Sequence, residues 1–300
     1  MMGTNNIWPV PRVAAIHDLS GFGRSSLTVV LPILSSMGIQ VCPLPTALLS
    51  TQTSGFDNYY FLDLTESMKE IISHWAALGI QFNSVYSGFL GSADQISIIS
   101  DFIESCRQNS DNDKILVLID PVLGDDGKPY GPVDMSMIEG MRGLVKKADI
   151  ITPNYTEAAL LLNKPVMKSS HVDEIKEHLV ELADLGPQKV VITSIPVHGK
   201  EFINSTYFYD KNIHTFWKVE CEHLPVSYSG AGDMFASILV GSLLRGAGFP
   251  ESVDKAVQTV FKVIQETCFR NIPGREGVLV ESVLGTLTES TQINTCTVVN

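Results

Sequence analysis

Short apolar, β-branched runs alternate with amphipathic helical patterns along almost the whole chain, and this alternation limits the folds it can adopt. Residues 115–119 form the continuous apolar run ILVLI, which is typical of a parallel strand buried on both faces. The predicted strands are 13–16, 40–44, 84–90, 115–119, 150–152 and 190–193. The predicted helices are 24–37, 65–78, 93–106, 135–146, 156–162, 172–185, 231–244 and 252–269. This pattern predicts an α/β fold, with a doubly wound, mostly parallel sheet flanked by helices.

Three regions depart from this rhythm. Residues 43–57 are rich in Thr, Ser, Pro and Gly and carry no charge before Asp57, which predicts a small flap or an appended strand pair. Residues 206–218 are β-like with alternating aromatics and predict a hairpin late in the sheet. Residues 286–300 are polar and β-branched and predict either a flexible tail or a final edge strand. No Pro- or Gly-rich linker divides the 300 residues, so we expect a single domain.

The net charge, the hydrophobic runs and the cysteines of the chain limit its binding partners and the cellular compartment in which it works. The 33 acidic and 21 basic residues give a formal net charge of −12, which argues against a nucleic-acid partner because such binding needs a basic surface. No run approaches the roughly 18 apolar residues of a membrane span. Five well-separated cysteines without a CxxC pair indicate reduced thiols. We therefore expect a cytoplasmic protein with no membrane partner.

Residues 228–236, with the sequence YSGAGDMFA, stand at the start of the helical pattern 231–244. Gly230 and Gly232 let the backbone approach a ligand, and the free N–H groups of a first helical turn form an anion site. Asp233 would repel a phosphate if binding were the only task of this turn. Its position suits a base that takes a proton from a hydroxyl, which then attacks the phosphate. The alternative is a glycine turn with an acidic helix start, which the helix dipole favours.

Polar residues follow the predicted strands at the points where these strands end. The carboxyl ends of parallel strands form the ligand-binding edge of an open α/β sheet. Asp120 and Asp125 follow one buried strand, and Asn154 and Glu157 follow the next. Because Mg²⁺ prefers oxygen ligands and usually keeps several waters, this set suits a magnesium-bound phosphate. Asn154 and Glu157 also have the spacing of a helix capping box, and capping alone is the alternative interpretation of that pair.

Several other mechanisms lack their sequence signatures here. The chain has no GxxxxGK[ST] phosphate loop and no GxSxG nucleophile elbow. Residues 21–23 (GFG) are similar to the start of a dinucleotide fingerprint. The third glycine is missing, however, and no acidic residue lies between Leu19 and Phe56 to hold a ribose. The seven histidines show neither HExxH nor a paired spacing with cysteines, which argues against a zinc site.

Five short motifs, in order, resemble those of the ribokinase-like superfamily and, within it, the pyridoxal (vitamin B6) kinases. They are residues 87–93 (SGFLGSA), 120–125 (DPVLGD), 148–154 (ADIITPN) with Glu157, 190–194 (VVITS) and 230–233 (GAGD). The last resembles the GTGD phosphate-transfer signature, and residues 17–24 (HDLSGFGR) are close to the bacterial branch known as pyridoxamine kinases. The resemblance covers nearly the whole chain. It implies ATP-dependent phosphorylation of the 5′-hydroxymethyl group of pyridoxal, pyridoxine or pyridoxamine.

The resemblance also implies a role for each matched residue. Asp233 is the expected catalytic base, and the N–H groups of Gly230 and Gly232 are expected on the transferring phosphoryl group. The residues expected to bind ATP and Mg²⁺ are Asp120, Asp125, Tyr130, Thr152, Asn154, Glu157, Thr193, Ser194 and Ala231, with Asp120, Asn154 and Glu157 holding the metal partly through water. The residues expected to hold the pyridine ring are Asp18, Ala47, Leu49, Thr53 and Phe89. A homodimer is also expected, and K⁺ beside the phosphate loop is a family option that these residues do not establish.

Three substitutions distinguish the chain from the family pattern. Ala231 replaces the threonine of GTGD but remains small, so the backbone donors should survive. Asp18 stands where some relatives carry serine, and Phe89 replaces a tyrosine and cannot donate a hydrogen bond. These changes lie at the substrate end, and they leave the preferred vitamer open.

Two alternative functions remain compatible with the motifs. A hydroxymethylpyrimidine kinase of thiamine synthesis would use the same chemistry on a similarly flat ring with a similar hydroxymethyl group. A non-catalytic B6- or nucleotide-binding sensor would keep the pocket without turnover, although Asp233 has no purpose in such a protein. A sugar kinase is disfavoured because the N-terminal region lacks an Asn/Asp-rich sugar grip.

Overall fold

Strands and helices alternate along the chain as the sequence predicts. The structure is a computed structural model that describes residues 10–109, 115–166, 170–200, 202–289 and 295–299. Its strands are β1 (Arg12–Ser20), β2 (Gln40–Leu49), β3 (Phe61–Asp63), β4 (Ser84–Ser87), β5 (Leu116–Ile119), β6 (Gly124–Asp125), β7 (Lys128–Pro129), β8 (Ile150–Ile151), β9 (Lys189–Ile195), β10 (Ile203–Asp210), β11 (Thr215–Glu222) and β12 (Thr297–Val298). Its α-helices are α1 (Leu27–Ser36), α2 (Thr65–Ala77), α3 (Ala93–Gln108), α4 (Met135–Val145), α5 (Tyr155–Leu162), α6 (Val172–Asp184), α7 (Ala231–Leu244) and α8 (Phe249–Phe269).

Ten of these strands form one sheet in the order β12-β11-β10-β9-β8-β5-β4-β1-β2-β3. The six strands from β9 to β2 are parallel, and antiparallel strands extend the sheet at both edges. The predicted doubly wound, mostly parallel sheet is therefore confirmed. From β1 the chain adds β2 on one side and later β4 on the other, so the strand order reverses between β1 and β4. Open α/β sheets bind ligands at such a switch point, outside the carboxyl ends of the strands.

Helices cover both faces of the sheet, and successive strand residues point to opposite faces. In β5, Val117 and Ile119 belong to one buried layer, together with apolar residues of α2 to α6. Leu118 belongs to the other layer, which it shares with α1, α7 and α8. Central strands buried on both faces explain why these sequences are continuous apolar runs rather than alternating ones. None of the described helices is long and apolar enough to cross a bilayer.

Strands β1 and β2 extend further than the sequence predicts. We expected β2 to end at Leu44, but it pairs with β1 as far as Leu49, so residues 43–49 of the predicted flap are strand. Pro43 and Pro45 are compatible with this because β3 pairs only with residues 47–49 of β2, and the prolines lie where β2 has one neighbour. The β2–β3 pairing agrees with the appended strand pair. That residues 50–57 act as a flap stays a prediction.

Helix α1 begins three residues later than predicted, and the tail is partly a strand. Residues 24–26 form a loop instead of helix, and Ser26 has a left-handed φ of 51°. The predicted late hairpin is present as β10 and β11, and Thr297–Val298 pairs with β11 as an edge strand. Residues 290–294 and 300 of the predicted tail lie outside the described residues. The single-domain interpretation stays a prediction. It agrees with the observation that one sheet contains strands from β1 at the start of the chain to β12 at its end.

Candidate active site

The N-terminus of α7 points its free N–H groups at the carboxyl edge of the sheet. Gly230 precedes the helix with a left-handed φ of 83°, and a Cβ there would lie 2.5 Å from the Arg24 carbonyl oxygen. Glycine is therefore the residue that this turn accepts. A Cβ on Gly232 would lie 3.9 Å from Asp120 Oδ2, so the carboxylate that follows β5 stands beside the first turn of α7. Ala231 is the first residue of this helix, and its missing hydroxyl leaves the backbone donors in place.

Asp233 lies in the same first turn, half-buried against the loop that precedes α1, with its side chain 15% exposed. Its Oδ2 accepts a hydrogen bond of 2.8 Å from the Ser26 N–H. Burial raises the pKa of Asp233 to about 6; the charge of Asp18 adds to the rise, and the Ser26 N–H opposes it. A carboxylate with this pKa is ionised at neutral pH yet basic enough to take a proton, which is what a general base requires.

Ser26 joins the two buried carboxylates Asp233 and Asp18. While its N–H binds Asp233, its hydroxyl donates to Asp18 Oδ1, and Ser20 donates to Asp18 Oδ2 at 3.1 Å. Burial raises the pKa of Asp18, although the two hydroxyl groups reduce the rise. The expected ring-binding residue and the expected base therefore share one neighbour. Sequence analysis did not single out Ser26, because serine near a helix start usually serves as an ordinary cap.

His17 is a second residue of the site for which sequence analysis assigned no role. It is fully buried, packs edge-on against Tyr86 at 4.4 Å, and places Nδ1 3.6 Å from Asp233 Oδ1. Burial lowers the pKa of His17 to about 3, so the ring is neutral and this contact is not an ion pair. A Cβ on Gly88 would lie 2.4 Å from His17 Nδ1, which requires glycine after β4.

Asp120 and Glu157 bring further buried carboxylates to the phosphate side of the site. Burial raises the pKa of Asp120, and the charge of Asp233 adds to this rise. Burial likewise raises the pKa of Glu157, with the charge of Asp120 as the next cause. Thr152, at the end of β8, donates a hydrogen bond of 2.9 Å to Asp120 Oδ1. Uncompensated, these carboxylates repel one another, so the position favours a bound cation.

Asn154 and Glu157 form the capping box that was the alternative interpretation of their spacing. Asn154 Oδ1 accepts the Glu157 N–H at 2.9 Å, and Glu157 Oε2 accepts the Asn154 N–H at 2.8 Å. The other atoms of both groups are also engaged: Asn154 Nδ2 donates to the Gly124 carbonyl at 2.8 Å, and Glu157 Oε1 accepts the Leu123 N–H at 3.1 Å. Any contact of this pair with a metal is therefore most easily made through water.

The hairpin of β6 and β7 carries Asp125, Tyr130 follows it directly, and both residues are exposed. Two hydrogen bonds join the hairpin to the start of α5. Asn154 Nδ2 donates to the Gly124 carbonyl at 2.8 Å, and the Gly127 N–H donates to the Thr156 hydroxyl at 3.0 Å. Burial raises the pKa of Asp125. Burial also raises the pKa of Tyr130, and further rises come from Glu157, Asp125, Asp120 and Asp233, in that order. The charges of these four carboxylates therefore act on Tyr130, which is 40% exposed.

Thr193 and Ser194 lie at the end of β9, beside the start of α5. Thr193 donates its N–H to the Pro153 carbonyl at 3.0 Å and forms a parallel bridge with Asn154. Ser194 is exposed and has a left-handed φ of 54°. Thr193 therefore lies beside Asn154 at the start of α5, and the expected contact of Thr193 and Ser194 with ATP stays a prediction.

The residues expected to hold the ring lie on the ends of neighbouring strands at the switch point. Ala47 and Leu49 are buried on β2, 1% and 3% exposed, and Ser20 pairs with Leu49 in the register of β1 and β2. Phe89 is half-buried after β4, and its carbonyl accepts the Thr46 hydroxyl at 3.2 Å. Thr53 is exposed in the loop between β2 and β3. That these residues and Asp18 together hold the ring stays a prediction.

The donor set fits Mg²⁺ only if phosphate and water complete its coordination. Within the described ranges, no three His, Cys, Asp or Glu side chains form a metal site by themselves. The strongest charges that act on Asp120, Glu157 and Asp233 are those of other carboxylates. Carboxylates beside free helix N–H groups provide metal-binding oxygens and phosphate-binding donors at once.

Comparison with known proteins gives consistent matches over most of the chain. The sequence model of the family described as phosphomethylpyrimidine kinase matches residues 31–273. A Bacteroides thetaiotaomicron protein, provisionally described as a phosphomethylpyrimidine kinase, is 46% identical, and its rhombohedral form covers 100% of both chains with a TM-score of 0.92. Its orthorhombic form, solved with pyridoxal, covers 97% of this chain and 100% of that chain, with a TM-score of 0.91.

Two further relatives carry the name pyridoxal kinase. The structure of the Lactobacillus plantarum enzyme is 30% identical and has a TM-score of 0.83, with 92% of this chain and 96% of that chain covered. The Arabidopsis thaliana enzyme is 26% identical over 260 residues, which are 85% of this chain and 80% of the relative. The similarity therefore includes both the sheet and the loops that carry the site.

The buried charge of Asp233 should reduce the stability of the ligand-free protein. The folded state binds the Asp233 proton more tightly than the unfolded chain does, so stability falls as pH rises from 3.8 through about 6. Asparagine could still accept the Ser26 N–H without a charge. We expect Asp233→Asn to raise the free energy of unfolding by about 1–3 kcal/mol at pH 8 and by less than about 1 kcal/mol at pH 4.

Urea unfolding of both proteins without Mg²⁺ or nucleotide measures this difference. Asp101→Asn, which removes an exposed carboxylate from α3, is the matched control and should change the stability little at either pH. Equal stability of Asp233→Asn and the unchanged protein at pH 8 would contradict the burial of an unfavourable charge.

Proposed function

The chain belongs to the phosphomethylpyrimidine kinase family, and we propose that it is an ATP-dependent kinase that phosphorylates the 5′-hydroxymethyl group of a B6 vitamer. The observation that carries the proposal is the half-buried Asp233 carboxylate in the first turn of α7. A site that only binds an anion gains nothing from a carboxylate among its donors. A site that must also deprotonate an attacking hydroxyl needs one.

Asp233 takes the proton of the hydroxymethyl group, and the oxygen of that group then attacks the γ-phosphorus of ATP. The new P–O bond forms as the bond to ADP breaks, so the phosphoryl group moves to the vitamer and ADP leaves. Negative charge on the transferring group is stabilised by the N–H groups of Gly230, Ala231 and Gly232 at the start of α7. These donors are fixed before the reaction, since the helix holds them.

The triphosphate is proposed to lie between α7 and the β6–β7 hairpin. The residues proposed to contact it are Asp125, Tyr130, Thr152, Thr193, Ser194 and Ala231. Asp120, Asn154 and Glu157 would hold Mg²⁺, the last two through water because their side chains already bind the backbone. When bound, the metal neutralises phosphate charge. A potassium requirement stays a prediction of the family resemblance, which replacing K⁺ with Na⁺ in the assay would test.

The proposed acceptor is a pyridine ring, held at the switch point by Asp18, Ala47, Leu49, Thr53 and Phe89. The support is the pyridoxal in one structure of the 46% identical protein and the name of the 30% identical enzyme. The family description favours a pyrimidine, which makes hydroxymethylpyrimidine the second candidate. All five cysteines are free thiols, which supports the proposed cytoplasmic location because that compartment is reducing.

An ADP-release assay with Mg-ATP tests the proposal directly. Pyridoxal, pyridoxine, pyridoxamine and hydroxymethylpyrimidine are compared in parallel, and product mass is measured. We expect vitamer-dependent ADP release and a product heavier by one phosphate. A response to the pyrimidine alone would retain the chemistry and replace the substrate. Binding of a vitamer without turnover would favour the sensor.

Asp233→Asn tests the assignment of the base. The substitution removes the proton acceptor and leaves the backbone donors of α7 in place, so kcat should fall by about 10²–10⁴. The dissociation constant for ATP should not rise, because the substitution removes a negative charge that repels phosphate. Steady-state rates and calorimetric titration with ATP measure the two effects, with Asp101→Asn as the control. A near-normal kcat would show that another group removes the proton.

We also propose that the protein forms a homodimer through the edge of the sheet at β3. Tyr59, Tyr60, Phe61 and Leu62, in and before β3, are between 39% and 60% exposed, an apolar patch on an edge strand. Such a surface is typical of a protein interface. Light scattering should give twice the chain mass for the unchanged protein and the single mass for Phe61→Lys/Leu62→Lys. A monomeric unchanged protein would reject the proposal.

A further inference from the structure

Gln52 uses every hydrogen-bonding position of its side-chain amide inside the protein. It lies in the loop 50–60 between β2 and β3 and is 4% exposed. Its Nε2 donates to the Ser54 carbonyl at 2.6 Å and to the Arg275 carbonyl at 2.8 Å. Its Oε1 accepts the Ser54 N–H at 2.8 Å and the Ser229 hydroxyl at 3.1 Å. Two donors and two acceptors are the full capacity of this side chain.

The partners of Gln52 belong to three different parts of the site. Ser54 belongs to the loop 50–60, which carries the proposed ring contact Thr53. Ser229 directly precedes Gly230, where the phosphate-binding turn of α7 begins. Arg275 belongs to the short 3₁₀ turn Gly274–Glu276 that follows α8. One buried amide therefore joins the acceptor side of the proposed reaction to its phosphate side.

Close packing around Gln52 makes this junction rigid. A Cβ on Gly23 would lie 2.6 Å from Gln52 Cγ, and a Cβ on Gly55 would lie 2.9 Å from Arg275 Cβ. The guanidinium of Arg275 lies over the Phe56 ring, 5.4 Å from its centre. The Val278 N–H then binds the Ser229 carbonyl at 3.0 Å, so the C-terminal segment also holds the residue before Gly230.

From this geometry we infer that Gln52 is a positioning residue for phosphoryl transfer, a role that rests on the proposed kinase function. It fixes Ser229, and through it the turn at Gly230, relative to the loop that borders the vitamer. Because its amide is buried, movement of the loop away from Ser229 leaves polar groups without partners, so the two sides keep one relative position. Correct alignment favours transfer to the vitamer over transfer to water.

Two variants separate alignment from general stability. Gln52→Leu removes all four bonds of the amide, and Ser229→Ala removes only the bond between the two sides. Pyridoxal with Mg-ATP is the probe, and both ADP and pyridoxal phosphate are quantified. We expect kcat to fall about 10- to 100-fold for Gln52→Leu and about 2- to 10-fold for Ser229→Ala. The ratio of ADP to pyridoxal phosphate should rise in both, and KM for ATP should change less than about threefold.

A double variant and a conservative variant of Ser229 distinguish a positioning role of Gln52 from a purely structural one. Gln52→Leu/Ser229→Ala should be no slower than Gln52→Leu, because both changes break the same link. Ser229→Thr keeps the hydroxyl, so its ratio of ADP to pyridoxal phosphate should equal that of the unchanged protein. If Gln52→Leu does not fold, Gln52→Glu, which keeps the acceptors and loses the donors, takes its place.

Thr267→Val is the matched control for loss of a buried polar contact in the same C-terminal segment. Thr267 is fully buried, donates to the Val263 carbonyl at 2.6 Å and accepts the Leu279 N–H at 2.9 Å. The Thr267→Val variant should have a lower melting temperature and an unchanged ratio of ADP to pyridoxal phosphate. If Gln52→Leu and Ser229→Ala also lower the melting temperature and leave that ratio unchanged, Gln52 is only structural and the inference is wrong. If the unchanged protein releases no vitamer-dependent ADP, the proposed function fails first and the inference falls with it.

Discussion

The first turn of α7 combines two features that oppose each other, and the rest of the site is arranged around them. Its free N–H groups attract an anion, while Asp233 in the same turn carries a half-buried negative charge. A carboxylate in this position lowers the affinity of the turn for phosphate. The arrangement is useful only when a proton must be removed within reach of the transferring group. The chemistry of the site thus follows from one residue that a binding site would lack.

Several local features shape the surroundings of this half-buried carboxylate. Ser26, whose N–H binds Asp233, has a φ of 51°, a backbone conformation that is strained for serine. His17 contacts Asp233 as a neutral ring and adds no positive charge that would lower its basicity. Gly88 and Gly230 have no side chain where a Cβ would collide with His17 or Arg24. Local strain and unfavourable charge are therefore concentrated at the same place as the proposed chemistry.

The sequence predicts the framework of the fold and the phosphate side of the site because both depend on local patterns. Continuous apolar runs such as 115–119 identify the central strands, and Asp120 and Asn154 follow from the rule that polar residues at strand ends meet at one edge. The extension of β2 through Pro43 and Pro45 was not predicted, since prolines indicate a turn unless the neighbouring strand is known. Ser26, His17 and Gln52 were not assigned because their partners lie far away in the chain. For Gln52 the separation from Ser229 is 177 residues, and no local pattern carries that contact.

The two sides of the site differ in how they are supported, and this difference bears on substrate choice. The phosphate side rests on β5, β8 and β9, which lie in the interior of the sheet and are paired on both sides, and on helix α5, which follows β8. The ring side rests partly on β2 and the loop 50–60, near the edge where β3 is the last strand. Substitutions are accommodated more easily at a sheet edge than between central strands, because fewer neighbours must adjust. A single framework can therefore keep one phosphoryl-transfer chemistry while its ring pocket varies between pyridine and pyrimidine acceptors. This tolerance applies to Ala47, Leu49 and Thr53, whereas Asp18 on β1 and Phe89 after β4 are carried by interior strands, as Asp120 and Thr152 are.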